Sequence, residues 1–173
     1  MSYQISSCIE DKKYRYSLEV TTDVENINKM IIFQINPSKG NSIISDPTIG
    51  KVSYWAEENK FKYITFLNLF ALVSTTPDEL IGKAYDEIVG EMNNKVILSS
   101  INQDSTIILA WGGIATEIEH HYRRRVFELM SLLDNFKLFR VGKLSYNKYP
   151  RHGRAWNLGN RELVDFNWKE IGF

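Results

Sequence analysis

The sequence predicts a single three-layer α/β domain built on a central four-stranded, mainly parallel sheet. Three observations lead there. Four apolar runs of strand length stop abruptly at turn residues or glycine: Met30 to Asn36, Lys62 to Phe70, Ser105 to Gly113 and Lys137 to Gly142. The stretches between them carry apolar residues at helical spacing, and parallel strands need such crossovers. Finally, 173 residues, 43% of them hydrophobic, suffice for one buried core, so residues 1–173 are read as one domain.

Each element has its own warrant. The run from Met30 ends in Asn36-Pro37-Ser38-Lys39-Gly40, a strand stopped by strong turn formers. Beyond Asp46-Pro47-Thr48, Ile49 to Glu58 spaces Val52, Trp55 and Ala56 on one helix face. Lys62 to Phe70 is aromatic and β-branched and too short for a core helix, so it is a second buried strand. Pro77, followed by Asp78 and Glu79, marks a helix start, and Val89 to Ile101 reads as another helix. The third strand closes in Gly112 and Gly113, before a long amphipathic stretch, Ala115 to Leu133. Lys137 to Gly142 is the fourth strand, and the polar residues up to Asn160 read as loop. A further N-terminal strand is allowed at Tyr14 to Val20.

Charge narrows the function. The 21 basic and 21 acidic residues cancel, so any site for a polyanion must be local. The lone cysteine, Cys8, has no partner for a disulfide and suits a reducing compartment. Glu10, Asp11, Lys12 and Lys13 stand where a signal peptide needs an apolar run, and no stretch approaches a membrane span. The protein is expected to be cytoplasmic, monomeric and without a membrane partner. His120 and His121 point to different faces of a helix, and Glu117 with His121 lacks a third ligand at suitable spacing. No metal or cofactor is expected. Arg123, Arg124 and Arg125 read as a charged helix face, and neither a Gly-Lys-Ser/Thr loop nor a Gly-x-Ser-x-Gly elbow is present.

Ligands of open parallel sheets bind beyond the carboxyl ends of the strands. Those ends carry Asn36-Pro37-Ser38-Lys39, Asn68, Trp111-Gly112-Gly113 and, a little beyond the last strand, Pro150-Arg151-His152-Gly153-Arg154. Four polar or glycine endings able to converge on one rim make a candidate site. Two bland readings stay open: Asn68 as a strand-end cap, and Asp46 as a turn residue before Pro47.

From Met30 onward, these endings resemble the uracil-DNA glycosylase superfamily. Gln34-Ile35-Asn36-Pro37-Ser38 is similar to that superfamily's Gly-Ile-Asn-Pro-Gly catalytic loop, and Thr65-Phe66-Leu67-Asn68 to its Leu-Leu-Leu-Asn strand. Ile108-Leu109-Ala110-Trp111-Gly112 resembles Phe-Leu-Leu-Trp-Gly, and the closing Phe166-Asn167-Trp168-Lys169-Glu170 a terminal Asp-Trp-Lys segment. Arg151-His152-Gly153 occupies the place of a His-Pro-Ser loop but lacks its Pro-Ser. The chain is also identified as a member of the family called domain of unknown function 1643. That family's five motifs occur in order: Asn36-Pro37-Ser38, Asp46-Pro47-Thr48, Asn68-Leu69-Phe70, Trp111-Gly112 and Pro150-Arg151-His152.

The glycosylase resemblance implies a monofunctional, metal-independent DNA glycosylase that flips a pyrimidine from double-stranded DNA and hydrolyses its N-glycosidic bond. Breaking that bond leaves negative charge on the base and positive charge on the sugar, with a water arriving at the anomeric carbon. Asn36, or alternatively Asp46, would position the water, and His152 would donate to the departing base, with Arg151 or Arg154 reinforcing the field. Asn68 would read the base edge, while Ser38 leaves room for a 5-substituted pyrimidine, including a hypermodified phage base. No acidic residue occurs from Asn135 to Arg161, which suggests a DNA contact through Arg151 and Arg154, with Trp156 and Tyr149 stacking or wedging. Lys39 and the backbones of Ser38, Gly112 and Gly113 would approach phosphates. Two rivals remain: a hydrolase or transferase of free nucleosides or nucleotides, and a non-catalytic module that binds modified bases.

Overall fold

The computed structural model describes residues 3–38, 46–113 and 116–168. It opens with a hairpin, β1 (Tyr3–Glu10) and β2 (Arg15–Thr22). The second of these contains the allowed Tyr14 to Val20 segment; the first was not anticipated. Asp11 makes the turn, its Oδ1 accepting the Lys13 and Tyr14 amides at 2.7 and 2.8 Å. The charges at residues 10–13 are therefore the tip of a hairpin. A strand like β1, mostly exposed and polar, offers no apolar periodicity to read.

The four predicted strand runs are β3 (Asn28–Gln34), β4 (Phe61–Asn68), β5 (Ser105–Leu109) and β6 (Leu138–Val141). They lie side by side and all parallel. The expected four-stranded sheet is nonetheless too small. The sheet is mixed and seven-stranded, in the order β1-β2-β4-β3-β5-β6-β7, where β7 is Leu163–Asp165. β2 runs antiparallel to β4, and β7 antiparallel to β6. Three residues of β7, two of them exposed, are too few to carry a pattern.

Helices fill both faces. Pro47 opens α1 (Pro47–Glu58), where its missing N–H is not needed, and Asp46 caps it by accepting the Thr48 amide at 2.7 Å. The helix expected at Val89 to Ile101 is the shorter α3 (Asn93–Ser100), preceded by a helix that was not anticipated, α2 (Tyr85–Val89). Gly90 divides them at φ 82°, and a side chain there would also meet the Tyr14 ring at 3.0 Å. Pro77 starts only a 3-10 turn, Pro77–Leu80. The last helix, α4 (Glu119–Leu132), follows another 3-10 turn, Thr116–Ile118.

Alternation along the strands assigns residues to two cores. Ile31, Phe33, Leu67, Ile107 and Leu109 pack under α2, α3 and α4. Met30, Ile32, Ile64, Phe66, Ile108 and Ala110 pack under Val52, Trp55 and Ala56 of α1. This is the three-layer arrangement expected. The chain passes from β3 to β4 on one side, then crosses back to β5 on the other. The strand order thus reverses around β3, and in open α/β sheets ligands bind at such a reversal, here the carboxyl ends of β3 and β5. Among the described residues, no helix is long and apolar enough to cross a membrane.

Candidate functional site

The loop leaving β3 is tied down on both sides. Asn36 Nδ2 donates to Ser74 Oγ at 2.8 Å, and more weakly to the Pro37 and Ser74 carbonyls at 3.2 and 3.4 Å. Its Oδ1 accepts from no described residue. Ser38 Oγ donates to Asp46 Oδ2 at 2.5 Å, while the Ser38 carbonyl accepts from Arg15 Nη1 at 3.3 Å. Both oxygens of Asp46 are therefore engaged, one by Ser38 and one by the first turn of α1. The turn-residue reading of Asp46 is correct as far as it goes, and the serine bond adds to it. Lys39 lies outside the described residues.

The loop after β6 reaches the same rim. Gly112 donates its amide to the Pro150 carbonyl at 2.9 Å, which fastens the end of β5 to Pro150-Arg151-His152. That amide is consumed and cannot meet a phosphate as expected. Gly112 also sits at φ 71°, where a Cβ would lie 3.1 Å from His152 Cβ. Glycine there lets the histidine lie against the strand end. Gly113 is exposed, with the Tyr149 ring beside it.

His152 is half-buried and its Nδ1 accepts the Arg154 amide at 3.1 Å. That bond assigns the proton to Nε2, which becomes a donor. Burial pushes the imidazole below its ordinary pKa; Asp46 nearby raises it in part and Arg154 lowers it further. The ring is neutral at pH 7. Gly153 follows, packed so tightly on α1 that a Cβ would come within 2.7 Å of Val52 Cγ2. It would also stand 3.2 Å from Gln34 Nε2.

Asn68 is 4% exposed at the end of β4, in register with Gln34 across the parallel pair. The alternative reading, a strand-end cap, does not hold: no described residue hydrogen-bonds its side-chain amide. Its backbone carbonyl is held from the opposite face by Asn93 Nδ2 at 3.2 Å. Asn93 also reaches the Leu69 carbonyl, at 3.1 Å, as does Arg125 Nε at 2.7 Å.

Several expected DNA contacts lie elsewhere. Trp156 is fully buried against Trp55, with ring centroids 5.0 Å apart, and its Nε1 donates to the Arg151 carbonyl at 3.0 Å. It is core and cannot wedge into a duplex from there. Arg151 turns inward: Nη2 donates to the Asn160 carbonyl at 2.9 Å, Nε is buried without a partner, and burial lowers its pKa. Three of the segment's basic residues pair with acids, Lys137 with Asp165, Lys148 with Glu119 and Arg161 with Glu58. Arg154 is exposed beside His152, and its side chain has no acidic partner among the described residues. Arg125 departs from the charged-face reading of its helix, being fully buried and bonded to Asn94 Oδ1 at 2.7 Å.

The site thus gathers Asn36, Ser38, Asp46, Asn68 and His152 around the strand-order reversal, with Arg154 at its edge. Sequence reasoning missed Ser74 and Arg15, which hold the β3 loop, and Gln34. Gln34 carried a signal: it is polar in an alternation whose preceding members, Met30 and Ile32, are buried on the α1 face. A family model described as protein of unknown function (DUF1643) matches residues 15–153. No curated protein and no solved structure matches the chain.

Proposed function

We propose that this chain, which belongs to the DUF1643 family, binds a pyrimidine base at the carboxyl ends of β3, β4 and β5 and hydrolyses its N-glycosidic bond. One observation carries the reading: a histidine whose Nδ1 accepts a backbone amide, leaving Nε2–H as a donor, stands at the same strand ends as a buried asparagine whose side chain bonds no described residue. A base leaves as an anion, and a fixed donor in a dry site stabilises that charge as it forms. The Asn68 amide, able to donate and accept, suits a base edge. Similarity of the strand-end motifs to the uracil-DNA glycosylases supports the same chemistry.

Asn36 fits the water better than Asp46 does. Its Nδ2 is anchored on Ser74, which leaves Oδ1 oriented and open, whereas both Asp46 oxygens already accept hydrogen bonds. In the step, the water oxygen bonds to the anomeric carbon as the carbon–nitrogen bond breaks. The bonding pair leaves with the base, His152 Nε2–H meets the developing charge, and the proton lost by the water ends on the base. Asp46 acts one step back, holding Ser38 and the start of α1.

Duplex DNA is the first substrate to test. A specific observation favours a free nucleoside or nucleotide as the second reading: three of the segment's basic residues are paired with acids and Trp156, one of the two would-be wedges, is buried. The test is release of base from duplexes carrying uracil or 5-modified cytosines, beside 2′-deoxyuridine alone. His152→Ala and Asn36→Ala are expected to lower kcat about 100-fold or more where wild type is active. Cleavage of the nucleoside but of no duplex would favour the second reading, and cleavage of neither would remove hydrolysis.

A further inference from the structure

Gln34 is 9% exposed, and its side-chain nitrogen is buried without any hydrogen-bond partner. Its Oε1 accepts from no described residue. Asn68, its register partner on β4, is 4% exposed with an amide equally unengaged. Parallel partners point to the same face of a sheet, here the α1 face, as Ile32 with Phe66 and Met30 with Ile64 do two and four residues earlier. Two buried amides therefore stand one strand apart, next to the turn that presents His152, since Gln34 Nε2 lies against the Gly153 backbone.

A buried amide with nothing to bond costs about 1–3 kcal/mol, and folds rarely keep one without a use. Gln34 Nε2 is such a group, and the neighbouring Asn68 amide, unbonded by any described residue, adds a complementary donor and acceptor beside it. All three groups at these strand ends, Gln34, Asn68 and the depressed imidazole of His152, are neutral, which disfavours an anion at this depth and suits a planar heterocycle bearing N–H and C=O groups.

We infer that Gln34 is a second specificity-determining residue of the site, and that it and Asn68 together hold a neutral nitrogen heterocycle. This rests on the nucleobase reading and narrows it. The amide pair reads the ring, and the sugar and water sit toward Asn36 and Asp46, on the loop that continues from β3.

Removing a ligand-facing amide should weaken binding without weakening the fold, and that separates this role from a structural one. The experiment is titration of the full chain with free uracil and free cytosine by ligand-observed NMR, for wild type, Gln34→Met and Asn68→Ala, with a urea unfolding curve for each. Gln34→Met keeps volume and discards the amide; Gln34→Ala replaces it if methionine does not pack. One base is expected to bind wild type and to lose at least tenfold in affinity in Gln34→Met, with the unfolding midpoint unchanged or raised. Binding within twofold of wild type in Gln34→Met, while Asn68→Ala loses it, would overturn the role of Gln34 and leave the nucleobase reading intact. A lowered midpoint with unchanged binding would make the amide structural. No binding of either base to wild type would overturn the nucleobase reading and this inference with it.

Discussion

The two faces of the sheet treat the same strand ends differently. On the α3–α4 face, polar side chains are spent on the backbone: Arg125 and Asn93 hold the Leu69 carbonyl, Asn93 the Asn68 carbonyl, and Tyr122 the Gly112 carbonyl at 2.9 Å. On the α1 face, Gln34, Asn68 and the Nε2 of His152 make no bond to a described residue. One face fixes where the strand ends sit, and the other carries the polar groups that the proposed function assigns to a ligand. Burial alone does not distinguish them, because Arg125 and Asn68 are both deep inside. What distinguishes them is that Arg125 and Asn93 spend nitrogens on backbone carbonyls, even though Arg125 Nη2 and Asn93 Oδ1 stay unpartnered, whereas the Asn68 side chain bonds no described residue.

That contrast is breakable, and the largest effect tests where the α1 face stops being site and becomes core. Trp156→Ala should cost about 4 kcal/mol of stability in urea unfolding, as for other fully buried large aromatics. A cost under about 1 kcal/mol would return Trp156 to the surface and to a wedge role. Next, Arg125→Met should cost about 2 kcal/mol, since it removes one of the two donors that hold the buried Leu69 carbonyl, together with the bond to Asn94. If the stability is unchanged, the α3–α4 face is not the rigid backing described here.

Asp46→Ala should cost about 1–2 kcal/mol through loss of the α1 cap, measured by thermal unfolding, and Asp46→Asn should recover most of it because asparagine caps well. A rate loss in Asp46→Asn as large as in Asn36→Ala would move the water to Asp46. The smallest effect is the pH response of His152. Its folded-state pKa lies below the ordinary 6.5, so the unfolded chain takes the proton first. Its contribution to stability is complete above about 6.5 and declines as pH falls through the folded value. His152→Gln should flatten that part of the stability–pH curve, and in any base-release assay the acid limb should fall below pH 6.5 rather than at it.

Much of this was legible in the chain, for particular reasons. Buried parallel strands have to be continuous apolar runs, so β3 to β6 announced themselves, and their endings had to be where the site is. Proline after aspartate marked both the start of α1 and its cap. Gly112 stood out as a glycine at a strand end, though the reason for it, room for His152, depends on a loop some forty residues later. β1 and β7 were invisible because edge strands with solvent on one or both faces need no apolar period.

By itself, then, the sequence determined the parallel core, the residues at its rim and the family, because periodicity and turn chemistry are local properties. Only the tertiary structure decided which polar residues were used up. Trp156 and Arg125 carry the same chemistry as surface residues until packing buries them, and Asp46 looks as available as Asn36 until Ser38 and Thr48 close on its two oxygens. Gln34 shows in the chain as the polar member of a buried alternation, but that its neighbours leave its side-chain nitrogen nothing to bond does not. Hydrogen-bond satisfaction is settled by groups distant in sequence, so no local pattern could have shown it.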